Sequence, residues 1–280
     1  MARHLIPFDR LPARYAESVG HPPERPVWPI PAATLALLRD GDEGPEVLLL
    51  RRAPHAGFIP GAYVFPGGRV DRSDADKLLL ARLDGLDSEE AARRLGLPYG
   101  DPPALAYYLA ALREAFEETG ILVARDESGA APPTAREDPT VDALRDHLMT
   151  HQARFHEVLD RLGCRLDGAA VEYMAHWITP EAEPRRFDTR FFAARVRGGA
   201  HPVVDPREMV EALWITPSAA LRRHRDGGLP MVFPTIRSLE DLVAFPTVDA
   251  VLAGLRGRRI VPILPRLVLT PTGVVLEVDP

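Results

Sequence analysis

The chain is predicted to adopt an α+β fold built on a mixed β-sheet, on three observations. Two apolar runs, AATLALL from Ala32 and EVLLLRR from Glu46, flank the turn-forming DGDEG and read as a β-hairpin. Residues 104–119 combine good helix formers with a long helical pattern of apolar positions. Strands and helices then alternate along the 280 residues without a strict β-α-β rhythm, which favours a mixed sheet over an all-parallel one.

Taken in order, residues 1–31 are proline-rich (Pro22, Pro23, Pro26, Pro29, Pro31) and are expected to form an extended arm. Residues 32–280 are expected to form a single domain, since no repeat or low-complexity linker divides them. After the hairpin, residues 62–65 (AYVF) read as a third strand ending at Pro66-Gly67-Gly68, and residues 75–97 carry helical spacing. Beyond the 104–119 helix come a short strand (ILVAR), a loop over 126–140 and a helical stretch near 141–162. Strands are expected at about 171–178, 187–196 and 209–215, and a helix from Pro217. Two short helices within 233–256 and a hairpin over 260–278, turning at Thr270-Pro271-Thr272-Gly273, complete the chain.

A net charge of −6 and a mean hydropathy of −0.11 exclude binding of nucleic acid or membrane surfaces through bulk positive charge. No stretch approaches the roughly 18–20 apolar residues of a spanning helix, and the opening MARHLIPFDR lacks a signal-like apolar region. The single cysteine, Cys164, leaves no internal disulfide framework and suits a reducing compartment, so a cytoplasmic protein is expected. Lys77 is the only lysine among 34 basic residues. An arginine pair is therefore weaker evidence of a phosphate site here than in a chain of balanced composition.

The chemistry is concentrated on the 104–119 helix. At 100° per residue, Leu105, Tyr108, Leu109, Leu112, Phe116 and Thr119 share one side, and Glu114, Glu117 and Glu118 share the opposite arc. A solvated acidic face is the simplest account of such an arc, but these glutamates repel one another at i,i+3 and i,i+4. Only Arg113 is placed to relieve them, reaching Glu117 at i,i+4. A divalent cation also resolves the repulsion, because Mg²⁺ prefers hard oxygen ligands. Gly120 is placed to end the helix.

Residues 113–121, REAFEETGI, resemble the second half of the Nudix signature, R-E-U-x-E-E-x-G-U, with Ala115 where a larger aliphatic residue is usual. The opening glycine of the signature matches Gly68 in Phe65-Pro66-Gly67-Gly68, and Asp74 stands six residues on, where the pattern has glutamate. The signature places its arginine 14 positions after that glycine; here Arg113 follows Gly68 by 45, an excess of about 31. The resemblance therefore implies a Nudix-like α/β/α sandwich with a helical insertion at about 75–103 inside the signature, and extra C-terminal helices. It also implies Mg²⁺ or Mn²⁺ held by Glu114, Glu117 and Glu118, with Arg113, Glu117 and Glu118 in catalytic roles.

Leu48–Arg52, Gly61 and Phe65–Gly68 are similar to the stretch before the signature in the coenzyme A diphosphatase branch, although Ala53-Pro54-His55-Ala56-Gly57 departs from it. Arg52, Phe65, Gly67, Gly68 and Arg186 are the candidate substrate contacts. Glu208 is the candidate base from a downstream loop, with Glu211 close behind. His151, His156 and His176 are read as structural. A small nucleotide-derived substrate is implied, first coenzyme A or acyl-coenzyme A, then ADP-ribose, NADH or a dinucleotide. Neither nucleic acid nor membrane is expected as a partner, and homodimerisation is common in that fold. A nucleotide-sensing protein without hydrolysis, or an acidic interaction surface, are the competing readings.

Overall fold

The computed structural model describes residues 2–8, 19, 24–55, 59–97 and 102–278. Its centre is a seven-stranded sheet. The path runs β11 (Met209–Ile215), β3 (Gly44–Arg52), β2 (Ile30–Gly41), β10 (Phe187–Arg195), β9 (Val171–Ile178); β4 (Tyr63–Val64) pairs with β3 and β5 (Gly67–Arg69) with β2. The β2–β10 pairing is parallel and the other pairings are antiparallel, so the sheet is mixed as predicted.

Alternation along the strands feeds two cores. On one face Leu35, Leu37, Leu48, Leu50 and Phe192 meet Tyr108, Leu112 and Phe116 of the helix Ala104–Thr119. On the other, Ala36, Leu38, Leu49, Phe191 and Trp177 meet Ile236, Leu239 and Val251 of the helices Phe233–Leu242 and Val248–Leu255. Helices thus cover both faces of a sheet, the layered architecture that the resemblance implies. No described helix is long and apolar enough to cross a membrane.

Several elements depart from expectation. Residues 75–97 are not one helical run. Asp76 and Asp87 each turn a side chain onto the backbone ahead, accepting from Leu78 N and Glu90 N, and so start two separate helices, α1 (Lys77–Leu80) and α2 (Ser88–Leu95). Between them lies β6 (Leu83–Asp84), which joins β8 (Cys164–Asp167) and β7 (Ala124–Asp126) in a small sheet that was not anticipated. The ILVAR strand accordingly begins only at Ala124. The stretch 141–162 is two helices, α4 (Pro139–Met149) and α5 (Phe155–Leu162), broken near His151 at φ +58°. With the helix Ala104–Thr119 as α3, the C-terminal helices are α6 (Pro217–Arg225), α7 (Phe233–Leu242) and α8 (Val248–Leu255).

The predicted closing hairpin is β12 (Arg266–Thr270) and β13 (Gly273–Val278). Its third strand comes from the other end of the chain: β1 (Ala2–Pro7) pairs antiparallel with β13. That part of the expected arm is sheet, because its backbone finds a partner edge that proline content does not reveal. Residues 9–18 and 20–23 of the arm lie outside the described residues.

Candidate active site

The carboxylate helix α3 runs sixteen residues without a glycine or proline and stops at Gly120 (φ +67°), whose N–H bonds Phe116 O at 2.8 Å. It is buried all round, so the expected acidic arc is not a solvated face. Glu118 is 7% exposed, and the Glu114 and Glu117 side chains are largely covered.

The guanidinium of Arg113 organises this cluster. Nε and Nη2 form a bidentate pair with Asp74 at 2.7 and 2.9 Å; Nη2 also donates to Arg69 O at 3.0 Å. Nη1 donates to Glu114 Oε1 and Glu117 Oε2, both at 2.9 Å. All five N–H donors of an arginine are thereby used. Burial works against the charge of Arg113, yet Asp74, Glu114 and Glu117 outweigh it and hold the group above its ordinary range. Asp74, fully buried, also accepts the Asp71 N–H at 2.7 Å. It occupies the signature glutamate's position and pairs with the arginine despite the inserted residues.

The glycine pair lets backbone pass against the carboxylates. Gly67 N–H donates to Glu118 Oε2 at 3.0 Å, and a Cβ on Gly68 would stand 2.5 Å from both Glu114 carboxylate oxygens. Arg113 does not reach Glu118. Burial first, then the charge of Glu114, pushes the Glu118 carboxyl well above the usual carboxylate range, and Glu208 adds to this while Gly67 N–H and Arg52 oppose it. The charges of Glu208 and Arg52 thus act on Glu118 in opposite senses. Burial likewise raises Glu117 to about 7 against the pull of Arg113, and raises Glu114.

Among the described residues, no three His, Cys, Asp or Glu side chains yet converge tightly enough to enclose an ion. Arg113 draws Glu114 and Glu117 towards itself, while Gly67 holds Glu118. The donor set nonetheless fits a hard dication. Its oxygens are hard, it is desolvated, and at Glu118 its like charges have no full compensation.

Other candidates go elsewhere. The Phe65 ring lies in the core on the opposite sheet face, edge-to-face with Phe191 at 6.4 Å, because alternation turns it away from α3. Arg186, 6% exposed, gives its donors to Thr179 O (2.9 Å) and Val27 O (2.8 Å), an anchor for the entry to β2 rather than a phosphate clamp. Arg185 lies over the Phe187 ring. A bulge between Met209 and Glu211 turns Glu211 to the far face, where it accepts from Tyr63 OH at 2.8 Å and faces Arg51. His176 is buried against Asp188, and the Cys164 thiol is pushed up by burial.

Sequence reasoning missed Arg145, whose Nε donates to Glu117 O at 2.7 Å. The signal was present: it falls on the apolar stripe of α4 with Val141, Leu144 and Leu148.

Residues 86–242 match the family model described as the NUDT19 Nudix domain. The chain belongs to the Nudix hydrolase family. It is 31% identical over 264 residues to the human protein named acyl-coenzyme A diphosphatase NUDT19, covering 83% of this chain and 70% of that one. The Xenopus laevis protein of that name is 27% identical over 234 residues, and this chain spans 61% of its length. The crystal structure of a NUDIX hydrolase from Alicyclobacillus acidocaldarius superposes with a TM-score of 0.67 at 31% identity, covering 81% of this chain and 96% of that one. Nudix hydrolases generally use divalent metal ions.

Proposed function

We propose that this Nudix hydrolase cleaves the diphosphate of coenzyme A or an acyl-coenzyme A, releasing 3′,5′-ADP and a phosphopantetheine product. The observation that carries the chemistry is the buried Glu114–Glu117–Glu118 cluster organised by the fully engaged Arg113. The substrate class is supported by the two relatives named acyl-coenzyme A diphosphatase. Glu114, Glu117 and Glu118 are the residues that would hold Mg²⁺ or Mn²⁺, which supplies charge neutralisation of the diphosphate and water activation when bound.

The chain's own groups do the rest. Arg113 fixes Glu114 and Glu117 in place and anchors them through Asp74 to the loop after β5. Gly67 N–H fixes the Glu118 carboxylate. Arg52, whose charge acts on Glu118, is the residue proposed to meet a phosphate oxygen, and Glu208 the one proposed to accept a proton from the attacking water. Gly68 keeps the floor open where a side chain would strike Glu114. The enzyme is proposed to be cytoplasmic, with homodimerisation checked by light scattering.

The test is product analysis with Mg²⁺ or Mn²⁺ on coenzyme A, an acyl-coenzyme A, ADP-ribose, NADH and a dinucleoside polyphosphate, using the parent and Glu118→Gln. Cleavage of the coenzyme A species, lost in Glu118→Gln, is expected. Cleavage only of another substrate keeps the chemistry and discards the substrate. No cleavage at all, with metal still raising the melting temperature, favours the nucleotide-sensing reading.

A further inference from the structure

Arg145 lies at the junction of two parts of the site. It is 5% exposed on the core-facing stripe of α4, where a charged side chain needs partners. Nε donates to Glu117 O at 2.7 Å and Nη1 to Asp142 at 3.3 Å, while Nη2 is buried and has no hydrogen-bond partner. The Glu117 carbonyl belongs to the last turn of α3, where carbonyls lack intrahelical partners and a cation is favourable. Arg145 therefore pins the end of the helix that carries Glu117 and Glu118.

The loop that bears Glu208 arrives at the same end. Val203 N–H donates to Thr119 O at 2.8 Å, and Asp205 O accepts the Glu208 and Met209 N–H groups at 3.0 and 2.8 Å. The Asp205 carboxyl is held below its ordinary value chiefly by the side-chain hydrogen bond from Arg207, and the charge of Arg145 contributes as well. The last turn of α3 is thus held on one side by Arg145 through Glu117 O and carries, two residues on at Thr119 O, the loop that leads to Glu208.

We propose that Arg145 is a positioning residue that fixes the C-terminal end of α3 and, through Thr119 O, the 203–209 loop seated on it, and so sets where Glu208 stands relative to the helix that carries Glu117 and Glu118. The kinetic part of this proposal rests on the diphosphatase reading; the positioning part does not. Lysine at 145 would keep the charge without the planar fork, whereas glutamine removes the charge.

Hydrogen exchange and steady-state kinetics on the parent, Arg145→Gln and Arg145→Lys test it. In Arg145→Gln, exchange over 203–209 should rise roughly tenfold while residues 104–112 stay protected. The kcat should fall on the order of ten- to hundredfold at nearly constant KM, as for a misplaced reacting group. Arg145→Lys should recover part of both, and decides on the same readouts if Arg145→Gln does not fold. If the parent cleaves nothing, the diphosphatase reading fails and exchange alone decides the role of Arg145. Unchanged exchange over 203–209, protection lost evenly along the chain, or an unaltered kcat in an active enzyme overturns the proposal.

Discussion

Asp74 is the residue whose replacement most directly tests how Arg113 organises the site. Its carboxylate is fully buried and receives three hydrogen bonds, two from Arg113 at 2.7 and 2.9 Å and one from Asp71 N–H at 2.7 Å. Removing one partner of a buried ion pair typically costs about 3–5 kcal/mol, because the other charge is left without compensation. Arg113 keeps Glu114 and Glu117 through Nη1, so the lower end applies and Asp74→Ala should cost about 3 kcal/mol. For a chain of this size, that lowers the melting temperature by roughly 6–12 °C. Asp74→Asn keeps the shape and one acceptor and should lose less. Asp74→Glu restores the signature residue but inserts a methylene into a filled site, which costs about 1–3 kcal/mol through overpacking. Thermal unfolding in EDTA, followed by kcat with Mg²⁺, measures both effects. Should Asp74→Ala melt within about a degree of the parent and keep full activity, the Arg113–Asp74 anchor would be irrelevant and the argument wrong.

Further outcomes follow from the same geometry. Gly68→Ala drives a Cβ into the Glu114 carboxylate and should abolish most activity while changing the melting temperature less than Asp74→Ala does, checked by kinetics beside calorimetry. Arg186→Ala, which removes anchors on Val27 and Thr179 rather than a substrate contact, should lower stability and leave KM unchanged; a raised KM in a stable protein would return it to the substrate site. For pH, burial raises Glu117 from 4.5 to about 7, so between these values the folded protein binds more protons than the unfolded chain. Its contribution to stability is present below the unfolded value and lost as pH rises through about 7; metal-free protein should melt lower at pH 8 than at pH 5, and Glu117→Gln should flatten that difference. Mg²⁺ should restore stability chiefly at the higher pH, where the carboxylates are charged.

How much of this was legible in the sequence varied with the kind of signal. The central strands and α3 were readable because burial on one or both faces imposes a period on the residues themselves, as Leu35 and Leu37 against Ala36 and Leu38 show. The carboxylate cluster was readable because like charges at helical spacing have a cost that only a partner can lift. The small β6–β8–β7 sheet was not, since its strands are two to four residues long and β6 pairs with β8 across more than 80 positions. Phe65 and Arg186 were misplaced for a related reason. Motif position fixes a residue along the strand, but the pleat and the nearest carbonyls decide where its side chain goes.

The insertion is tolerated because of where it leaves and rejoins the chain. Asp74 precedes it and Arg113 follows it, so the pair that closes the site lies outside the added residues and spans them with a buried bidentate contact. The described residues of the insertion are then tied back to later parts of the chain, with no side-chain hydrogen bond or ion pair among them reaching Glu114, Glu117 or Glu118. Arg82 pairs with Asp160, Arg165 with Asp84 and Arg154 with Asp76, and Arg190 caps the end of α2 at Leu95 O. Those ties are mostly exposed and individually weak, worth roughly 0–1 kcal/mol each. The Arg113–Asp74 contact is buried and cannot be lost without leaving a charge behind. Substituting Arg82 and Arg165 together should therefore loosen exchange protection in residues 77–95 while leaving kcat intact. A parallel loss of kcat would show instead that the insertion, not the Arg113–Asp74 pair, holds the two halves of the signature together.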